Sequence, residues 1–396
     1  ILVLRILTTT ISLIMYLSIF CLNNENKIMY LIQALNILAA TIDISWLYMG
    51  LEDFRKTVTR GLVVKILCVL SIFIFVREQS DLWIYTLINA LMLVLGNGFM
   101  WLYLPKAVDK TKITFKDMKI HLIPTLQMFI PQIAIQVYAV LDKTMLGILA
   151  TKGDVGIYEQ SQKIVKIVGG LVTSLGVVML PRMSNTFANG DKKKMNEYLN
   201  KSLIFVSYMS IPMFIGLAAI SNEFVPWFFG EDFLQVRYIM MILTPILFFI
   251  AINNVLGVQY LLPTNRTKEY TIAVSTGAIT NVVFNFLLIP KYKVIGACIA
   301  TLLAELIVPV VELIILRKNI NIKYIFKNIY KYFFAGAIMF IIVRFIGKFM
   351  GVSILTTMIQ AVSGGCIYLA TLLIFKDEFT KVIIGNIFST IKIARE

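Results

Sequence analysis

Lys166 lies eleven residues into an apolar run that begins at Val155, about 16 Å along a helix at ~1.5 Å per residue and therefore close to the middle of a bilayer. A charge at that depth is costly unless it meets a partner or water. The same run carries Glu159, Gln162, Lys163, Lys166, Gly170 and Thr173, whose spacing of three, four and seven places a polar stripe on one helical face. The preceding run repeats the pattern with Gln132, Gln136 and Lys143, and Asp142 stands beside that lysine. Two chemistries fit. Asp142 with Lys143, or Glu159 with Lys163, could be internal ion pairs that fix helix packing. Alternatively the lysines line a hydrated, net cationic cavity that receives an anionic head group such as a phosphate or pyrophosphate.

The remaining charges inside apolar runs are few. Of the 37 basic residues, those within runs are Arg5, Lys65, Lys143, Lys163, Lys166, Arg237 and Arg344, against the acids Asp43, Asp142, Glu159, Glu305 and Glu312. Lys65, Arg237 and Arg5 lie near run ends, where long side chains snorkel to water. Glu305 and Glu312 share one face with Pro309 between them to loosen the helix, an arrangement suited to proton or sodium coupling. Asn281 and Asn285, one turn apart, read as a hydrogen-bonding pair that joins helices. Asp43 shares a 3.6-residue face with Asn36, Ala40, Leu47 and Gly50, so that face is expected to look inward. Trp46 beside it is either a cavity wall or an interfacial anchor. Glu52 to Lys56 read as a solvated turn. Pro124, Pro131, Pro212, Pro245 and Pro309 fall within runs, where each permits a bend of the kind alternating access needs.

The elements that must position these residues follow from composition. With 59% hydrophobic and 15% charged residues over 396 positions and a mean hydropathy of +0.83, the chain exposes too much apolar surface for water. Twelve runs reach the ~20 residues that cross a bilayer: 1–21, 28–50, 59–76, 82–104, 122–150, 155–180, 203–220, 233–262, 270–289, 294–316, 332–346 and 352–375. They lack the alternation of barrel strands and must be helices, because backbone polar groups cannot go unpaired in lipid. The expected fold is an all-α polytopic membrane protein with 12 transmembrane helices. Alternate loops carry 24 lysines and arginines, including Lys192, Lys193 and Lys194, while the opposite loops hold six: Lys27, Arg77, Lys152, Lys291, Lys293 and Lys348. The positive-inside rule puts both chain ends in the cytoplasm. Most of the formal charge of +15 is thereby topological, and nucleic acid is not an expected partner.

No phosphate-binding Gly-x-x-x-x-Gly-Lys-Ser/Thr, no dinucleotide fingerprint and no His-Glu-x-x-His occurs. His121 has no second histidine, and Cys21, Cys68, Cys298 and Cys366 lack metal or redox spacing. The reading is a non-enzyme without cofactor or metal, with no extramembrane segment large enough for glycosyl transfer: a transporter.

Several stretches carry a resemblance. Asp43-Ile-Ser-Trp-Leu-Tyr-Met-Gly-Leu-Glu-Asp-Phe54, Leu141-Asp-Lys-Thr-Met-Leu-Gly147, Val155-Gly-Ile-Tyr-Glu-Gln160, Met179-Leu-Pro-Arg-Met-Ser184, Asn254 to Thr264, Asn281 to Pro290 and Ile295 to Glu305 together resemble the bacterial oligosaccharide flippases that export O-antigen and capsule repeat units, within the multidrug/oligosaccharidyl-lipid/polysaccharide exporter superfamily. The resemblance implies two six-helix lobes around a central cavity plus an extra C-terminal helix pair, 14 helices of which this sequence would hold the last 12. By that pattern residues 1–104 are an incomplete N-lobe of four helices, 105–121 an inter-lobe loop, 122–316 the C-lobe, 317–331 a loop, 332–375 the extra pair and 376–396 a cytoplasmic tail. It also implies a substrate, an undecaprenyl-pyrophosphate-linked oligosaccharide turned from the inner to the outer leaflet of the bacterial cytoplasmic membrane by ion-coupled alternating access, with membrane lipids, a polysaccharide polymerase and other assembly proteins as partners. Lys143, Lys163 and Lys166, then Arg5 and Arg344, would meet the head group. Asp43, Asp142, Glu159, Glu305 and Glu312 would balance or couple charge, and Trp46, Gly50, Gln132 and Gln136 would form cavity wall or gate. A multidrug antiporter of the same superfamily and a non-transporting scaffold for polysaccharide assembly are the alternatives.

Overall fold

A computed structural model describes residues 2–20, 27–51, 53–106, 108, 115–318, 320, 329–382 and 385. Among them every regular element is helical, as the unbroken apolar runs require. The chain divides into two compact units, Ile1–Met128 and Phe129–Glu396.

In the first unit α1 (Leu2–Phe20) packs on α2 (Lys27–Ile42), α2 on α5 (Leu82–Met100), and α5 on α4 (Phe54–Phe75), with the short α3 (Ser45–Gly50) between α2 and α4. Its small core gathers Ile44, Tyr48 and Met100. Elsewhere large apolar side chains such as Ile14, Ile19, Leu70 and Phe73 point outward, a surface that suits lipid and would aggregate in water.

The second unit follows α6 (Phe115–Leu149), whose first turns belong to the first unit. A Thr151/Asp154 capping box opens α7 (Lys152–Ala188), and the Asp191 carboxylate accepts the Lys194 N–H at the start of α8 (Lys192–Phe229). Next come α9 (Val236–Leu243), α10 (Ile246–Asn253) and a π-helical continuation (Asn254–Leu261). The 50-residue α11 (Thr267–Leu316) bends at Lys293, where φ is +49°. α12 (Ile329–Met350) and α13 (Ile354–Ile374) pack on α8 and on each other. Tyr208 of α8 sits edge-on to Tyr332 and Tyr368, and the Tyr368 hydroxyl donates to the Tyr208 carbonyl at 3.0 Å.

Among the described residues ten helical segments are long and apolar enough to cross a membrane. The twelve runs map onto these with two differences. The run 122–150 falls in α6, which stands outside the ten, and the runs 270–289 and 294–316 are the two arms of α11 on either side of Lys293. The chain is a multi-pass membrane protein.

One expectation is corrected. The run 28–50 is not a continuous helix, because α2 stops at Ile42 and α3 starts at Ser45, both within one membrane-length segment. The last carbonyls of a helix have no intrahelical partner, and in lipid they cannot turn to water. Side chains supply the donors: Asn97 Nδ2 reaches the Ala39 carbonyl at 2.8 Å, Arg5 Nε the Ala40 carbonyl at 2.8 Å and Trp101 Nε1 the Ile42 carbonyl at 2.6 Å. Asp43 sits in the break, accepting the Ser45 N–H at 2.9 Å and pairing with Arg5 at 3.1 Å. Asn36 and Ala40 therefore do not continue into Leu47 and Gly50 as one straight face. Replacing Trp101 by Phe keeps the ring and removes the donor to Ile42. It is expected to lower unfolding stability in detergent micelles by about 1–3 kcal/mol, the cost of a buried acceptor left bare; an unchanged thermal midpoint would show that the break is held by other means.

Candidate functional site

Asp142, on α6, is fully buried and contacts three neighbouring segments of the second unit. Its Oδ2 accepts from the Tyr158 hydroxyl of α7 at 2.7 Å and from the Thr301 hydroxyl of α11 at 2.9 Å. Its Oδ1 accepts from Asn285 Nδ2, in the other arm of α11, at 2.6 Å. The two hydroxyls are 2.7 Å apart. Asn285 Nδ2 also reaches Asn281 Oδ1 at 3.0 Å, and Gln162 Nε2 donates to the Tyr158 oxygen at 2.7 Å.

No basic residue pairs with this carboxylate among the described residues. Neutral donors hold it instead, and the knot keeps two unsatisfied acceptors, Gln162 Oε1 and Asn285 Oδ1. One carboxyl group amid amide and hydroxyl oxygens fills a closed site. Such a donor set is of the kind that hard monovalent cations and protons compete for.

The lysines are arranged otherwise than an Asp142–Lys143 pair would need. Lys143 Nζ pairs with Glu159 of α7, both being partly exposed. Lys163 and Lys166 are exposed on α7, and neither forms an ion pair among the described residues. Lys166 lies within electrostatic reach of Lys143, Glu159, Glu305 and Asp142. The stripe read from spacing divides here. Gln162 turns into the knot, while Lys163, Lys166 and Gly170 stay on the outer surface of α7.

The other candidates are scattered. Glu305 is buried in α11, and Glu312, a further two turns along, is completely buried. Arg344 of α12 reaches the Ala219 carbonyl at 3.4 Å and lies over the Phe340 ring, away from the lysines of α7 in sequence and in partners. Gln136 is exposed on α6, and the Gln132 side chain lies outside the described residues. In the first unit Arg5 and Asp43 are bound to each other, Trp46 is half-buried with its Nε1 unpartnered, and Gly50 closes α3. Glu52 lies outside the described residues. Lys56 hydrogen-bonds Asp53 at 2.8 Å and lies 5.1 Å and 5.3 Å from the centres of the Tyr48 and Tyr103 rings; that hydrogen bond holds the Asp53 carboxyl below the usual carboxylate range. Asp53, Lys56 and Tyr103, with Arg55 and Arg60, line a cavity of about 890 Å³ whose remaining lining is mostly apolar.

Tyr158 and Thr301 are site residues that the sequence reading passed over. Each had a local signal, since Tyr158 lies one turn before Gln162 and Thr301 one turn before Glu305. Tyr158→Phe removes the hydroxyl that touches Asp142, Thr301 and Gln162, and is expected to cost about 1–3 kcal/mol of stability. Lys163→Ala, on the exposed face of α7, is expected to stay within about 0.5 kcal/mol of wild type. Thermal unfolding in micelles measures both, and equal losses would contradict this division between a buried knot and an outer lysine face.

The chain is similar to proteins described as lipid II flippases and as O-antigen transporters. A family model described as "Lipid II flippase MurJ" matches residues 62–367, more than half of the chain. A candidate O-antigen transporter of Escherichia coli (strain K12) is 24% identical over 284 residues, covering 69% of this chain and 66% of that protein. The lipid II flippase MurJ of Bacillus subtilis (strain 168) is 23% identical over 223 residues, covering 52% and 41%. The chain thus spans less than two thirds of the length of these curated relatives. A solved structure of a lipid II flippase MurJ in an inward closed conformation superposes with a TM-score of 0.76 at 22% identity, over 96% of this chain and 81% of that one, a likeness of fold. The extent of the family match makes this chain a member of the lipid II flippase MurJ family.

Proposed function

We propose that this protein is a flippase that carries an undecaprenyl-pyrophosphate-linked oligosaccharide repeat unit from the inner to the outer leaflet of the bacterial cytoplasmic membrane, for surface polysaccharide synthesis. The observation that carries the reading is the pair of lysines on α7. Lys163 and Lys166 stand about 16 Å and 21 Å from the N-terminal end of α7 at ~1.5 Å per residue, exposed and without an ion pair among the described residues. A cation kept bare at that depth needs a water-filled path or an anion. A pyrophosphate supplies the anion, and ammonium groups one turn apart can engage adjacent phosphoryl oxygens. The polyprenyl chain stays in lipid, where its transfer costs nothing. Relatives described as an O-antigen transporter and as lipid II flippases support the same substrate class.

Asp142 is the proposed coupling group. Moving a doubly charged head group against a gradient needs an energy source, and a carboxylate on α6 held by neutral donors on α7 and both arms of α11 can change those contacts when a cation or proton binds. Its ion would thereby bias how these helices pack. The excess of lysine and arginine in alternate loops supports a topology with both ends of this chain in the cytoplasm, and a polysaccharide polymerase would act on the delivered unit.

Complementation tests the reading. Expressed in a bacterium that lacks its own repeat-unit flippase, the wild-type protein is expected to restore surface polysaccharide, and Lys163→Ala/Lys166→Ala to lose at least ~tenfold of it, about 1.4 kcal/mol of binding or barrier. Asp142→Asn is expected to remain in the membrane but to export no more than background. Full export by the double lysine variant would remove the proposed anion site. Restored resistance to cationic drugs with no polysaccharide would favour antiport by this chain instead.

A further inference from the structure

Glu312 is completely buried in the second arm of α11, and neither carboxyl oxygen has a hydrogen-bond partner. It is not part of the Asp142 knot. The element against it is unusual: Asn254–Leu261 is a π-helix of eight residues, closed by bonds such as Leu262 N–H to the Gly257 carbonyl at 3.1 Å. π-Helical turns are rare and concentrate at functional sites. A side chain at Gly257 would stand 2.5 Å from Glu312 Oε1 and 2.5 Å from Tyr270 Cε2, so the missing Cβ is what lets the carboxyl group lie directly on this segment.

A bare carboxylate in such a place, with no donor and no cation, would cost several kcal/mol of lost solvation. The group therefore carries a proton in this conformation. Tyr270, from the first arm of α11, stands with Glu312 against Gly257, and a neutral phenol gives no charge compensation. Glu305, two turns earlier on the same helix and itself buried, is another acid. Arg266, just beyond the π-helix, is engaged by Glu269 at 3.0 Å. Release of the proton demands water or a donor, and the packed π-helix must give way to admit either.

We propose that Glu312 is a proton-binding site, distinct from Asp142, whose occupancy holds Asn254–Leu261 in its π-helical form. The substrate reading is not needed for this inference. A π-helical hydrogen bond spans one more residue than that of the α-helix it interrupts, so its conversion would shift the register of everything between Asn254 and the start of α11. Proton loss at one carboxyl is thereby tied to movement of the 262–266 turn.

Amide hydrogen exchange of the full-length protein in nanodiscs, read by mass spectrometry across pH, tests this without substrate. Exchange is corrected for intrinsic pH dependence with 240–247 as internal reference. Protection of 254–261 in wild type is expected to fall about tenfold per pH unit once Glu312 begins to ionise, the slope of a single-proton event. The fall is expected to vanish in Glu312→Gln and to persist in Glu305→Gln and Asp142→Asn. A flat wild-type profile overturns the proposal, as does a slope that survives in Glu312→Gln. If that variant fails to fold, the wild-type profile decides alone. Retention of the slope in Asp142→Asn keeps the outcome separate from that of the export assay.

Discussion

In a membrane, a backbone carbonyl or N–H without a partner has no water to fall back on, and each one left bare costs several kcal/mol. This constraint organises the molecule. It forces helices throughout, and it makes every interruption in a helix a place where a side chain must step in. The break between α2 and α3 exists because Asn97, Arg5 and Trp101 serve its carbonyls. The bend at Lys293 sits outside the apolar runs, where water can serve instead. The π-helix 254–261 is tolerated because it is packed on nearly all sides.

The same constraint separates two kinds of polar residue. Asp142 is drawn inward and is satisfied by Tyr158, Asn285 and Thr301, a closed set in which removing one donor is felt by the others. Lys163 and Lys166 face outward on α7 and owe nothing to packing. A charged residue in an apolar run that serves no packing contact is the better candidate for meeting a ligand. Glu159 stands between these kinds, since it pairs with Lys143, while Lys163 and Lys166 form no ion pair among the described residues.

The fold class was legible because a run of twenty apolar residues has one physical outcome in lipid. The bounds of 270–289 and 294–316 could be read around Pro290, Lys291 and Lys293, where charge and a proline coincide. The break at Asp43 was not legible. Asp43 looked like an acid on a continuous face, and the donors that permit the interruption come from Arg5, Asn97 and Trp101, far away in sequence. Asp142 failed in the same way. Its neighbour Lys143 offered an obvious local pair, whereas its actual partners at 285 and 301 lie more than 140 residues along the chain. Asn281 and Asn285 were read as joiners of helices, and Asn285 does join α11 to α6. Helical periodicity predicted a single stripe on α7, but a face wide enough to include both Gln162 and Lys163 straddles the boundary between core and surface. Local pattern gives the elements; long-range hydrogen bonds decide which polar residue serves which role.

The central claim is transbilayer movement of a pyrophosphate-linked lipid. Purified protein in liposomes loaded with a fluorescent undecaprenyl-pyrophosphoryl oligosaccharide tests it directly, by the fraction of label that a membrane-impermeant quencher can reach over time. The account predicts that the protected fraction falls with wild-type protein under an imposed cation gradient, and stays near its starting value with Asp142→Asn or with empty liposomes. A protected fraction that does not change with wild-type protein, while the same vesicles transport an organic cation, would contradict it.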